Sequence, residues 1–234
     1  MTSLADFPIT QRWPARNPDV IQLYSLPTPN GIKVSAMLEE TGLAYEPHLV
    51  DFGKNDQMTP EFISLNPNNK IPAIIDPHGR GGKPLGLFES GAILHYLAEK
   101  SGKFLPADPN LKWETLAWLH FQMGGLGPMF GQLGFFTKFA GKEIEDPRPR
   151  ERYIGEAKRL LSVLEKRLTG RDWIMSEYTI ADIAMLPWLR SLTGFYEAGE
   201  LVGIDNFPAV KAWMERGLKR PAMVKAFNIP ARPA

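Results

Sequence analysis

Two spacings of apolar positions run along this chain, and the change from one to the other divides it. Val20 to Ser25 is a short apolar run ending in a Pro-Thr-Pro-Asn-Gly turn, and Ile32 to Thr41 then carries apolar residues at helical spacing until Gly42 stops it. The pattern predicts a strand, a turn and a helix. Tyr45 to Asp51 alternates apolar with polar, Pro60 to Leu65 suits a short helix, and Ala73 to Asp76 and Leu85 to Phe88 read as brief strands about a glycine-rich turn. A helix from Gly91 to Ser101 closes this stretch. The order βαβαββα predicts a mixed sheet whose first two strands are joined by a right-handed crossover.

Past residues 104–110, a linker containing Pro and Asp, strand signals stop and long helical periods begin. Helices are predicted over Lys112–Phe139, bent at Gly127-Pro128, and over Arg150–Leu168, Ile180–Phe195 and Pro208–Lys219. Thr179 and Asp182 resemble a capping box with aspartate in place of the usual Glu or Gln. The expected architecture is an α/β domain at residues 20–103 followed by an all-helical domain at residues 111–234. Residues 1–19 are read as an arm without fixed structure, in spite of Trp13.

Composition narrows the chemistry. Net charge of +1, from 27 basic and 26 acidic residues, gives no electrostatic footprint for nucleic acid or an anionic membrane. No uninterrupted apolar stretch approaches the ~18 residues a bilayer span needs, and residues 1–19 lack the pattern of a secretory leader, so a cytoplasmic protein is expected. The chain has no cysteine. That excludes a protein thiol nucleophile, a disulfide scaffold and thiolate-bound metal, so any sulfur chemistry must use sulfur brought by a ligand. The four histidines are not read as metal ligands.

The most informative residues are Lys70-Ile71-Pro72 and Phe88-Glu89-Ser90-Gly91, with Glu89 seventeen positions after Pro72. In a thioredoxin-like sheet these read as a turn ending in a cis proline, a strand pair and a helix opened by Ser90. Backbone groups of Ile71 can then pair with an extended peptide as an added strand. Ser90 as N-cap would offer helix-start N–H groups to a carboxylate, Glu89 would accept from an ammonium, and Lys70 would clamp a second carboxylate. Glutathione is a thiol tripeptide with those groups. The glycine-rich run Gly124 to Gly131 is not a phosphate loop, because no Gly-Lys-Ser/Thr closes it and no strand precedes it. Phe121, Phe130, Phe135, Phe136 and Phe139 fit either an apolar substrate wall or a core.

Tyr24-Ser25-Leu26-Pro27-Thr28-Pro29-Asn30-Gly31-Ile32-Lys33, Asn66-Pro67-Asn68-Asn69-Lys70-Ile71-Pro72, Phe88-Glu89-Ser90-Gly91 and Tyr178-Thr179-Ile180-Ala181-Asp182 together resemble bacterial cytosolic glutathione transferases. The resemblance is to the nu class, the glutathione-dependent disulfide-bond oxidoreductases. It runs from about Val20 to Pro221, and Thr-Pro-Asn-Gly is its most class-specific motif. It implies that Thr28 and Asn30 lie nearest the glutathione sulfur. It also implies that Gln57, Lys70, the Ile71 backbone, Glu89 and Ser90 hold the tripeptide, with Arg152 reaching in from the helical domain. Ala117 stands where a relative has a glutamine, which removes one polar contact to a second ligand. A homodimer is implied as well. Tyr24 or Ser25, placed where other classes carry a sulfur-facing hydroxyl, remains an alternative donor.

A free thiol of pKa about 8.5 is only a few per cent ionised at neutral pH. A hydrogen bond to the thiolate worth about 1.5–3 kcal/mol lowers that pKa by one to two units. Intrinsic nucleophilicity falls as the pKa falls, so the net gain is several-fold and positioning must supply the rest. With no protein sulfur, disulfide reduction needs two glutathiones, expected in a site between the domains: one attacks the substrate and one resolves the mixed disulfide. The expected partner is therefore a small-molecule disulfide. Conjugation of a small electrophile, or a non-catalytic glutathione-binding regulator, is the alternative.

Overall fold

The computed structural model describes residues 3–232. The chain forms two compact units, one running to Lys103 and resuming at Pro221, the other comprising Phe104–Arg220. In the first, a short helix α1 (Ile9–Arg12) precedes β1 (Ile21–Ser25), α2 (Pro29–Thr41), β2 (Tyr45–Leu49), α3 (Pro60–Leu65), β3 (Ala73–Asp76), β4 (Leu85–Phe88) and α4 (Ser90–Ser101). The sheet has the order β2-β1-β3-β4, with β1 and β2 parallel and the other pairs antiparallel. This is the thioredoxin-like arrangement that the pattern predicts. The central strands β1 and β3 are buried along their whole length, their polar residues Gln22, Ser25 and Asp76 included.

Helix α2 begins at Pro29, three residues before the predicted start at Ile32. Thr28 is the extended N-cap, and its hydroxyl oxygen accepts from the Gly31 N–H at 3.5 Å. Pro29 has no N–H to lose and its fixed φ suits the first helical position. Gly31 is required by close approach: a Cβ there would overlap the Leu26 carbonyl oxygen and crowd Ser25 Oγ.

The expectation of an unstructured arm is corrected. Leu4, Phe7 and Ile9 are buried in one cluster with Tyr24, Phe62, Leu65 and Ile75, and Trp13 packs against it. Burying side chains of this size contributes about 1.5–3 kcal/mol each. Trp13 Nε1 donates to the Leu49 carbonyl at 2.9 Å, Arg12 pairs with Asp56, and the Arg16 and Asn17 N–H groups donate to Glu46 at 2.9 and 2.8 Å. Gly86 makes room, since a Cβ there would press on the Phe7 ring.

The carboxyl end also departs from the expected helical domain reaching residue 234. Helix α11 (Pro221–Ala226) packs on α2. Its Met223 and Ala226 are buried, Lys225 pairs with Glu39 at 2.7 Å, and Ser35 Oγ donates to the Ile229 carbonyl at 3.1 Å.

The second unit is helical throughout: α5 (Pro109–Phe121), α6 (Gly127–Lys138), α7 (Arg148–Leu168), α8 (Ile180–Arg190), α9 (Gly199–Val202) and α10 (Pro208–Leu218). The bend predicted at Gly127-Pro128 is a π-helical turn, Gln122–Leu126, between α5 and α6, and a second such turn, Ser191–Phe195, follows α8. The Thr179–Asp182 capping box is formed. No helix among the described residues is long and apolar enough to cross a membrane.

Candidate functional site

The register of the sheet gathers most of the candidate residues at one end of it. Tyr24 of β1 lies opposite Ala73 of β3, and Ala73 lies opposite Phe88 of β4. The end of β1, the start of β3 and the end of β4 are therefore neighbours. Thr28 and Asn30 follow β1, Ile71-Pro72 precedes β3, and Glu89 and Ser90 follow β4. The end of β2 joins them, because Ser25 pairs with Leu49 and its carbonyl accepts from Val50 N–H at 2.9 Å. Gln57 sits shortly beyond, in the 3-10 turn Asp56–Met58.

Each position has a local cause. The Ile71-Pro72 peptide bond is cis, as expected. The loop before it is shaped by Asn66, whose side-chain oxygen accepts from Asn68 N–H at 3.0 Å and whose side-chain nitrogen donates to the Lys70 carbonyl. Ile71 itself is buried and Lys70 is exposed. Asp56 anchors the Gln57 turn by accepting from Asp51 N–H at 2.9 Å and pairing with Arg12 of the arm. Gln57 Oε1 is buried without a hydrogen-bond partner. Asn30 is the second residue of α2, inside the helix, whose first-turn N–H groups point out of its amino-terminal end.

The start of α4 differs from expectation. Ser90, the N-cap that the sequence suggests, is instead the first helical residue, and Glu89 is the N-cap, without a side-chain capping bond. Glu89 has φ 71 and ψ 112, in a region that non-glycine residues rarely occupy. Such backbone strain costs about 1–3 kcal/mol and gathers at functional sites. Ser90 is buried, and its hydroxyl oxygen accepts from Lys33 Nζ at 3.3 Å.

Lys33 is the group at this site that the sequence reading passed over. It is 0% exposed, on α2. Burial pushes its pKa well below the ordinary lysine value, and the Glu89 carboxylate pulls the other way. The available signal was a lone lysine in the otherwise buried stretch Gly31–Leu38.

Among the alternative donors, Tyr24 is fully buried with its ring stacked on His48 at 4.8 Å, and burial followed by the charge of Glu46 raises its pKa far above that of a free phenol. Ser25 is buried too and donates to the Leu26 carbonyl at 3.5 Å. Both are core residues in this structure. Arg152 is exposed on α7 of the second unit. The five phenylalanines divide: Phe130 is buried, while Phe135 and Phe139 are exposed and meet Phe136 and Phe195 respectively. His95 faces Glu99 at 3.4 Å, and no group of three or more potential metal ligands exists among the described residues.

Comparison with known proteins gives the arrangement a family. Residues 19–99 match the model of the glutathione S-transferase N-terminal domain, and residues 128–221 match that of the C-terminal domain. The chain is 48% identical over 209 residues to the disulfide-bond oxidoreductase YfcG of Escherichia coli, covering 88% of this chain and 94% of YfcG. A glutathione transferase of Pseudomonas putida, solved with one glutathione disulfide bound per subunit, superimposes with a TM-score of 0.98 at 61% identity, covering 98% of this chain and 100% of that one. Another from Burkholderia graminis, solved with two glutathione molecules per subunit, gives 0.97 at 65% identity, covering 100% of this chain and 98% of the other. On two domain matches and near full-length identity of this order, the chain belongs to the glutathione S-transferase family.

Proposed function

We propose that this chain is a glutathione-dependent disulfide-bond reductase of the nu class that works with two bound glutathiones and no sulfur of its own. The observation that carries this reading is the joining of a built sheet-end site with a sequence that has no cysteine. The names and contents of the relatives agree: YfcG is a disulfide-bond oxidoreductase, and the Pseudomonas and Burkholderia structures hold glutathione disulfide or a glutathione pair.

In this reading Thr28 and Asn30, at the positive end of α2, donate hydrogen bonds to the glutathione sulfur and raise its thiolate fraction. The thiolate attacks one sulfur of a small disulfide, forming a glutathione mixed disulfide and expelling the other half as a thiolate. The thiolate of the second glutathione attacks the glutathione sulfur of that mixed disulfide. It releases the remaining substrate half and leaves glutathione disulfide. Two substrate thiols form and two glutathiones are oxidised, so atoms and electrons balance without a protein thiol. Gln57, Lys70, the Ile71 backbone, Glu89 and Ser90 hold the tripeptide, and the active form is a homodimer.

The test compares turnover of hydroxyethyl disulfide with that of an activated aryl chloride, both with glutathione. Disulfide turnover is expected to dominate. Aryl turnover alone would make the chain a conjugating transferase, and binding without turnover a regulator. Asn30→Ala, which removes a donor to developing negative charge, is expected to lower disulfide kcat/KM at least tenfold, about 1.4 kcal/mol, with the circular dichroism spectrum unchanged. An unchanged kcat/KM would move that role to Thr28.

A further inference from the structure

A lysine in the middle of a buried helical stretch needs a reason. Residues Gly31 to Leu38 of α2 are all buried, and Met37, Leu38, Val34 and Ile32 show what such positions ordinarily hold. Removing an ammonium from water costs several kcal/mol unless it is paired and hydrogen-bonded. A methionine would fill nearly the same volume without that cost. The side chain of Lys33 ends at the start of α4, where its Nζ donates to Ser90 Oγ at 3.3 Å. The neighbouring N-cap, Glu89, is held at φ 71. One charge of each sign thus stands next to Ser90, in a strained loop at the sheet end.

A serine hydroxyl has one proton and two acceptor lone pairs. When a lone pair takes a hydrogen bond from an ammonium, the hydroxyl is fixed as acceptor on that side and its proton is directed elsewhere. The same contact withdraws charge from the oxygen and strengthens it as a donor. We infer that Lys33 is a positioning residue for glutathione: from beneath the site it orients the Ser90 hydroxyl to donate to a carboxylate of the tripeptide, and it supplies the positive charge that balances Glu89 when that carboxylate is absent. This inference rests on the glutathione-binding reading above. It assigns Lys33 no contact with glutathione and no role at the sulfur.

The role separates binding from chemistry. Lys33→Met is expected to raise KM for glutathione about tenfold while kcat at saturating glutathione changes by less than threefold. Ser90→Ala is expected to do the same, and the double variant Lys33→Met/Ser90→Ala to be no worse than either alone, because the two residues act as one unit. Multiplicative losses in the double variant, or an equal fall in kcat, would overturn the inference.

The lack of cysteine offers a second measurement that does not depend on Lys33→Met folding. Lys33→Cys would carry the only thiol in the chain, and that thiol can be alkylated in denaturant and the protein refolded. Alkylation with 2-bromoethylamine restores an ammonium at nearly lysine length, and alkylation with 1-bromopropane gives a neutral chain of the same size. Calorimetric glutathione affinity is expected to return with the charged adduct and to stay about tenfold weaker with the neutral one. Equal affinity of the two adducts would defeat the inference while leaving the glutathione site intact. Absence of any binding to the unaltered protein would instead bring down the reading of the site itself.

Discussion

Helices α4 and α8 begin in opposite ways, and the contrast sets a helix start that serves the fold against one that the proposed function assigns to a ligand. At α8, Thr179 is an extended N-cap with φ −134, and Asp182 closes a capping box. The buried Asp182 carboxylate accepts from Ile174 N–H at 3.0 Å, Thr179 N–H at 2.9 Å, the Thr179 hydroxyl at 3.2 Å and Trp213 Nε1 at 2.9 Å. Burial pushes its pKa up and the donors pull it back. At α4, the N-cap Glu89 is strained, makes no side-chain capping bond and is exposed, while a buried lysine supports Ser90 from within the core. One start has every donor answered by the chain. The other departs from local preference at its N-cap, Glu89, next to the contact of Lys33 with Ser90.

The contrast is sharpest if the two starts are damaged separately. Asp182→Ala leaves the buried Trp213 Nε1 and the Ile174 and Thr179 N–H groups without their acceptor, and each orphaned donor costs about 1–3 kcal/mol. A loss of about 3–5 kcal/mol is expected in urea unfolding, a large share of a typical domain's stability. Glutathione affinity of the fraction that remains folded at low temperature should be unchanged within twofold. A variant of wild-type stability would show that the box is redundant.

Glu89→Gly should show the reverse pattern. Glycine occupies φ 71 without steric penalty, which offsets the loss of the charge that balances the buried Lys33, so stability is expected to change by less than about 1 kcal/mol while glutathione affinity falls tenfold or more through loss of the carboxylate. Thermal melts and calorimetry on the same sample would read both. Stability and affinity falling together would mean that Glu89 is structural after all, and the distinction between the two helix starts would fail.

How much of this was legible in the sequence follows from which contacts are local. The strands and the cap at Thr179 were readable because short-range pattern and cap chemistry determine them, whereas the cis proline was readable only once a thioredoxin-like sheet was assumed. The docking of the arm was not: Leu4, Phe7, Ile9 and Trp13 follow no helical or strand period, and their partners Tyr24, Phe62 and Ile75 are far away in the sequence. The α2 start was missed by three residues because Pro-Thr-Pro reads as a turn, although a threonine followed by proline is also a cap followed by a first helical residue. Lys33 was hidden for a different reason. Its partner Ser90 is 57 residues away, and only the packing of α2 on α4 brings them together. The seven first-unit candidate residues could be nominated from the resemblance, Gln57 by its position alone, but the strain at Glu89 could not, because φ is not written in composition.

The smallest expected effect tests the helix start that looks most secure. Thr179→Ala removes a hydroxyl that accepts from Ala181 N–H at 3.3 Å and donates to Asp182, while the Asp182 carboxylate keeps its bonds from Ile174, Thr179 N–H and Trp213. Loss of an N-cap side chain of this kind costs about 1 kcal/mol, well below the loss expected for Asp182→Ala. Thr179→Ser, which keeps the oxygen, should recover most of it. This ordering identifies what closes the start of α8: if Asp182 is the anchor, the threonine hydroxyl adds only its own cap bonds to a start that the carboxylate already holds. If Thr179→Ala proves as damaging as Asp182→Ala, the two side chains form one indivisible unit, and α8 would then resemble α4, where Lys33 and Ser90 are inferred to act as one.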